Sequence, residues 1–154
     1  MARKSVLLDT NVLIDFLGAR QPFFEQARKL MIAARVGEFE LWMSASQVTD
    51  LVYILSEGGK KRLVPEVLRR LRTLRLFVNV CPVTAADADA MLASDWSDPE
   101  DALLARLALR LKFDAIITRD EDFPHIDGMP VMDCEGFFAW LRETEGVVYE
   151  EAVL

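Results

Sequence analysis

Four aspartates carry the chemistry this sequence offers: Asp9 in LLDTN, Asp50 in SASQVTDL, Asp101 in SDPEDALLARLA and Asp120 in IITRD. Asp9 and Asp120 each follow a short apolar run at the point where it turns polar, as a buried strand does on leaving the core. Asp50 and Asp101 lie on segments of helical spacing, and Asp50 stands opposite the stripe Val48, Leu51, Val52 and Leu55, facing water or a cleft. Brought together, the four would repel one another: at ~5 Å and an effective dielectric of about 20, each pair costs roughly 3 kcal/mol. Such a cluster is tolerable if some acids protonate or if a divalent cation sits among them, and an all-oxygen donor set favours Mg2+ or Mn2+ over zinc. No Ser-His or Cys-His set supplies a nucleophile. The expected chemistry is metal-assisted attack of water on a phosphodiester.

Positioning these acids requires alternating strands and helices. Ser5–Leu8 is a short apolar strand, and Asn11 can cap a helix through Leu17 that Gly18 ends. A second helix carries Phe23, Phe24, Ala27, Leu30, Met31 and Ala34, with Pro22 near its start and Gly37 past its end. Glu40–Met43 is the next strand, followed by a helix capped by Ser44 or Ser46 and closed by Gly58-Gly59. A helix from Lys60 or Arg62 to about Leu76 turns Val64, Val67, Leu68, Leu71 and Leu74 inward. Then come a strand (Phe77–Val83), a helix (Ala85–Ala93) and an apolar helix opened by Asp98-Pro99 and reaching Leu111. The strand Ala115–Thr118, the small strand Val131–Met132 and a closing helix with Phe137, Phe138 and Leu141 complete the series. Strands this short, separated by helices, imply crossover connections. The expected fold class is α/β: a three-layer α/β/α sandwich around a short-stranded, mainly parallel sheet. In such sheets ligands bind beyond the carboxyl ends of the strands, where Asp9 and Asp120 sit.

At 154 residues and 52% hydrophobic content, the chain suits one domain. Its net charge of −7 argues against a general polyanion binder, so any nucleic-acid contact is local. No apolar run reaches the roughly 18 residues of a membrane span. Met1-Ala-Arg-Lys leads straight into a strand, so a cytoplasmic protein without a membrane association is expected. Cys81 and Cys134 form no metal or disulfide pattern and read as buried small hydrophobes. Trp42, Trp96 and Trp140 read as core or interface residues, and His125, beside Pro124, as a loop residue.

The segments LLDTNVLID, SASQVTDLVYIL, DPEDALLARLA and IITRDEDF, in this order and spacing, resemble the four motifs of the PIN domain family. The resemblance spans about residues 4–141, leaving a C-terminal tail at 142–154. It implies a PIN-like fold and cleavage of RNA with Mg2+ or Mn2+; compact bacterial members are often toxins of type II toxin–antitoxin pairs. Carried over by position, Asp9, Asp101 and Asp120 would be metal ligands, and Asp50 would join them in catalysis. Asp50 stands where the family usually has Glu, so its carboxylate is set back by one methylene. Asn11 and Thr118 would orient the ligands by hydrogen bonds, and Asp98 and Asp122 could support or replace their neighbours. A cognate antitoxin and a homodimer are the partners the resemblance implies.

Each feature also has a plainer explanation. Asp98-Pro99-Glu100-Asp101 makes a good helix start without a metal, and Asp120-Glu121-Asp122 could be a polar turn. Between Lys60 and Arg75, seven cations including Arg69 and Arg72 face one acid, Glu66: an RNA path, the dock of an acidic antitoxin segment, or a solvated helix face. Arg119, next to Asp120, could reach a phosphate. Phe23-Phe24 suits a dimer or partner groove, and equally core packing. A haloacid dehalogenase-like phosphatase would want a second acid where Asn11 stands, and a receiver domain would want an adjacent acid pair near the N-terminus. A non-catalytic module that keeps the fold is the alternative of a different kind.

Overall fold

Apolar runs of three to five residues form the centre of the molecule. The computed structural model describes residues 3–147. Its elements are β1 (Ser5–Leu8), α1 (Thr10–Leu17), α2 (Phe24–Arg35), β2 (Glu40–Ser44), α3 (Ala45–Leu55), α4 (Val64–Leu74), β3 (Val78–Cys81), α5 (Ala85–Leu92), α6 (Pro99–Arg110), β4 (Ala115–Ile117), β5 (Val131–Met132) and α7 (Cys134–Glu145). The strands pair in parallel in the order β3-β2-β1-β4-β5, so the chain winds outward from β1 to β3 and then crosses to the other side of β1. The three-layer α/β/α class expected from the sequence is the one observed.

Side-chain alternation sorts the core into two layers. Val6 and Leu8 of β1, Leu41 and Met43 of β2, and Ala115 and Ile117 of β4 face one side. There they meet α1, α2, α3, α4 and α7 through residues such as Leu13, Leu30, Leu51, Leu71 and Phe137. Leu7, Trp42 and Ile116 face the other, against Leu103, Leu104 and Leu107 of α6. β1 and β4 are buried on both faces, which is why they read as continuous apolar runs.

Several boundaries differ from the sequence expectation. Asp9, not Asn11, caps α1: its backbone is still extended (φ −70°, ψ 153°) and its carboxylate accepts the Thr10 amide. α4 begins at Val64, because Gly58 and Gly59 take left-handed backbone and the next residues form a turn before Pro65 enters the first helical turn. Leu68, expected inward, is 40% exposed. β3 stops at Cys81, ahead of Pro82, which has no amide to donate to a ladder. α7 runs to Glu145, so the first residues of the expected tail are helical, while 148–154 lie outside the described residues. Cys81 and Cys134 are free and buried, and burial pushes the Cys134 thiol up to about 12. Trp42, Trp96 and Trp140 pack partly buried against the two layers.

α6, which presents Asp101, is tied down at a buried carboxylate. Asp87 on α5 is fully buried and closes a capping box with Thr84. It accepts hydrogen bonds from Arg110 (Nε 2.8 Å, Nη2 2.7 Å) and Arg106 (Nε 3.0 Å). Arg110 above all, then the Thr84 amide and Arg106, holds the Asp87 carboxyl well below its ordinary range. Replacing Asp87 by Ala removes the partner of two half-exposed guanidiniums on α6, and urea unfolding should show a loss of about 1–3 kcal/mol. Because the folded carboxyl is depressed, this contribution is present above about pH 4 and is lost as the pH falls below it.

Candidate metal and catalytic site

The switch point of the sheet lies between β1 and β4, and the register fixes what meets there. Leu8 pairs with Ile117, so Asp9 and Thr118, the next residues out, stand side by side. Thr118 Oγ1 donates to Asp9 Oδ2 at 2.7 Å, and Asn11 Nδ2 reaches both Asp9 Oδ2 (3.3 Å) and Thr118 Oγ1 (3.2 Å). The Thr10 amide donates to Asp9 Oδ1 at 2.7 Å. Asn11 Oδ1 in turn accepts the Arg119 amide, and Thr118 Oγ1 accepts that of Asp120. Asp9 is thereby fixed by neutral donors only. It is 7% exposed, and burial raises its pKa against the lowering pull of Thr118.

α6 brings the second group. Asp98 caps it, accepting the amides of Glu100 (2.9 Å) and Asp101 (3.3 Å). Pro99 occupies the first turn, where its missing amide costs nothing. Asp101 is 6% exposed, and burial, followed by the charges of Asp98, Asp9, Asp120 and Glu100, lifts its pKa to about 7. Burial and the charges of Asp50, Asp9 and Asp98 likewise raise Glu100. Six carboxylates therefore share one field: Asp9, Asp50, Asp98, Glu100, Asp101 and Asp120. Asp9 and Asp101 are its buried members, while Asp50, Asp98, Glu100 and Asp120 are exposed. Asp122 contributes its amide to Asp120 Oδ1 (2.9 Å) and is itself exposed.

Residues absent from the sequence reading complete the frame. Gln47 is buried, closes a capping box with Ser44, and donates through Nε2 to the Leu8 carbonyl (2.8 Å) and Thr10 Oγ1 (3.1 Å). Thr10 Oγ1 donates onward to Glu100 Oε1 at 3.4 Å, so β1, α3 and α6 are joined by one polar chain. The Ser-x-x-Gln signature of SASQ could have revealed Gln47, whereas Glu100 was hidden within an ordinary acidic helix start.

The candidate RNA-contacting arginines have other partners. Arg119 forms a two-point ion pair with buried Asp15 (Nε–Oδ2 2.7 Å, Nη2–Oδ1 2.9 Å) and lies over the Phe23 ring at 3.8 Å, so its charge is not free for a phosphate. Arg69 pairs with Glu66 on its own helix. Arg72 borders a shallow groove with Leu68 and Arg75. His125 is exposed beside Asp127.

Among the described residues, no three His, Cys, Asp or Glu side chains form a ready cage for a cation. The donor chemistry still fits a hard divalent ion: the cluster is entirely carboxylate, and none of its six members makes an ion pair with Lys or Arg among the described residues.

A parallel sheet between helical layers, with carboxylates gathered at its switch point, defines an α/β protein built around an acidic strand-end site. The PIN domain model matches residues 5–122, and the chain belongs to that family. No curated protein matches the chain significantly by sequence. Similar solved structures include VapBC2 of Rickettsia felis bound to a promoter DNA fragment, 13% identical over 84% of this chain and 98% of that one, with a TM-score of 0.64. DNA-bound VapBC of Salmonella typhimurium is 17% identical over 85% and 98%, with a TM-score of 0.64. VapC20 of Mycobacterium tuberculosis, a toxin that cleaves the sarcin-ricin loop, is 18% identical over 81% and 99%, with a TM-score of 0.59.

The crowding has a measurable sign. Asp9, Glu100 and Asp101 have folded-state pKa values above their unfolded ones, so the folded state is favoured by protonation and loses stability as the pH rises from about 4 through about 7. Thermal unfolding in chelator should show this fall, and Asp101→Asn should flatten it; an unchanged slope in the variant would contradict the assignment.

Proposed function

We propose that the chain, as one domain, is a Mg2+- or Mn2+-dependent endoribonuclease and the toxin of a toxin–antitoxin pair acting in the cytoplasm. The observation that carries this reading is the uncompensated carboxylate cluster around Asp9, held at the switch point by neutral hydrogen bonds. It is supported by PIN family membership and by likeness in fold to VapC20, which cleaves RNA.

In this reading Asp9, Asp101 and Asp120 hold the cation. The ion, when bound, polarises the scissile phosphate, eases deprotonation of the attacking water and offsets charge on the leaving oxygen. Thr118 and Asn11 keep Asp9 in one rotamer, so it is presented without further loss of freedom. Asp101, its pKa lifted to about 7 by burial and neighbouring charges, would serve as a ligand in its carboxylate form. Asp50 is short for the place the resemblance gives it, and Glu100, whose pKa the Asp50 charge helps to raise, joins the same cluster from α6. Asp98 keeps the α6 amides aimed at the site, and Asp122 fixes the turn that carries Asp120. Arg72, at the groove beside Leu68 and Arg75, is left as a contact for RNA backbone outside the acidic centre, while Arg69 is paired with Glu66.

Asp9→Asn should abolish Mn2+-dependent cleavage of single-stranded or structured RNA, by a hundredfold or more, with the fold retained by circular dichroism. Thr118→Val should cost about 10- to 100-fold through weaker metal binding. Cleavage by Asp9→Asn at the wild-type rate would remove the nuclease reading.

Tyr53 (63% exposed), Ile54 (42%), Leu68 (40%) and Leu76 (77%) present apolar surface on and beside α3 and α4. We assign this face to the antitoxin partner or to a second copy of the chain. Where a small reading frame adjoins the gene, co-expression with its product should yield a complex, and the protein alone a dimer by sedimentation; a lone monomer in both would overturn the assignment.

A further inference from the structure

A groove of about 770 Å³ runs on from the acidic site, sharing Thr118 and Asp120 with it. Its size is that of a small-molecule site. Arg119 and Phe23 together make a platform within it. Asp15, whose side chain is 3% exposed, grips the guanidinium at two points and neutralises it, and the guanidinium carbon sits 3.8 Å from the centre of the Phe23 ring. The arginine is thus a fixed, charge-satisfied plane, with a third of its side chain still exposed beside a ring that is itself 39% exposed.

The walls are suited to a flat apolar body: Pro22, Phe123 and Pro124 line the groove. Glu121, Asp133 and Glu135 line it too, and their charges disfavour a phosphate while accepting the N–H donors of a base edge. Unpaired bases stack on aromatic rings and on guanidinium planes, and carboxylates accept from exocyclic amino groups.

We propose that this groove is a nucleobase subsite, in which one unpaired, amino-bearing base next to the scissile phosphate stacks on the Arg119–Phe23 platform. The proposal rests on the ribonuclease reading and adds a determinant of substrate choice: single-stranded RNA with a splayed-out base at one flanking position. Phe23 and Arg119 act as specificity residues, distinct from the carboxylates that hold the cation.

The test uses the full chain in chelator, where cleavage is blocked, and single-stranded oligoribonucleotides carrying 2-aminopurine at successive positions. Quenching of the fluorescent base at one position is expected, with affinity about tenfold lower in Phe23→Ala. Phe23→Leu, which keeps apolar bulk, should show a loss of the same kind. Arg119→Lys, which leaves a cation for Asp15 but removes the plane, should weaken binding as well. With binding read by anisotropy of an end-labelled strand, the losses should vanish when the base is replaced by an abasic residue, a readout that a folding defect would not give.

Unaltered quenching in Phe23→Ala, as expected if the groove serves a protein partner, would overturn the subsite. Equal losses for base-bearing and abasic RNA would overturn it as well. If wild-type protein cleaves RNA with Mn2+ but shows no Phe23-dependent quenching, the subsite falls and the nuclease reading stands. Phe23-dependent quenching without cleavage in either metal sinks the nuclease reading and leaves the base-binding groove.

Discussion

The two apolar layers that fix the strands are what allow carboxylates to gather unpaired at one edge of the sheet. Burial first, and then the charges of Asp98, Asp9, Asp120 and Glu100, lift Asp101 to about 7. Folding alone gives no reason for such a gathering, since an acid at a helix start is equally well placed in water. The fold accepts the cost because its core lies elsewhere: two apolar layers, one on each face of the sheet, stabilise the strands whose ends carry the acids. Expensive local electrostatics then ride on a scaffold that does not depend on them, a common mark of a functional site.

Where the molecule uses cations sharpens the point. Asp87 is compensated by two arginines and Asp15 by one, so buried carboxylates with a structural role are paired. Asp9 is as buried as these in practical terms, yet its partners are a threonine hydroxyl, an asparagine amide and a backbone amide. Neutral donors orient a carboxylate without cancelling its charge. The α6 N-terminus adds the same kind of help to Asp98, Glu100 and Asp101: partial positive charge from amides, with no ion that would have to be displaced. The polar chain Gln47–Thr10–Glu100 extends the principle across three elements.

The elements themselves were legible because their signals are local. Apolar runs of strand length, Pro99 after Asp98 and glycines after helices place nearly every element within a few residues. What local signals missed depends on competition between neighbours. Asp9 and Asn11 are both good caps, and the choice between them is made by the backbone bond from Asp9 to Ile117, more than a hundred residues away. Leu68 has the spacing of a buried residue but lines an open groove with Val48 and Val80 and stays 40% exposed. In the candidate site, Asp9, Asp101 and Asp120 stand out in sequence as strand-end and helix-start acids, whereas the pairing of Arg119 with Asp15 does not. A charged residue beside an acidic centre looks free in sequence, and only the fold reveals Asp15 beneath it.

Three consecutive residues show how the sheet makes such distinctions. On β4, Ala115 and Ile117 face the layer that contains α1, and Ile116 faces α6. Continued past the strand end, the same alternation sends Arg119 toward α1, where Asp15 waits, and Thr118 toward the α6 side, where Asp9 stands. Asp9 follows the matching rule on β1, being two residues beyond Leu7 on that face. Asp120, one period beyond Thr118, returns to the acidic side and adds its charge to Asp9 and Asp101. A slip of one residue in the β1–β4 register would exchange these roles, setting Arg119 against Asp9 and leaving Asp15 buried without a cation. The register that hides Leu8 and Ile117 in the core is thus the same one that keeps the acidic centre uncompensated and the platform beside it neutral.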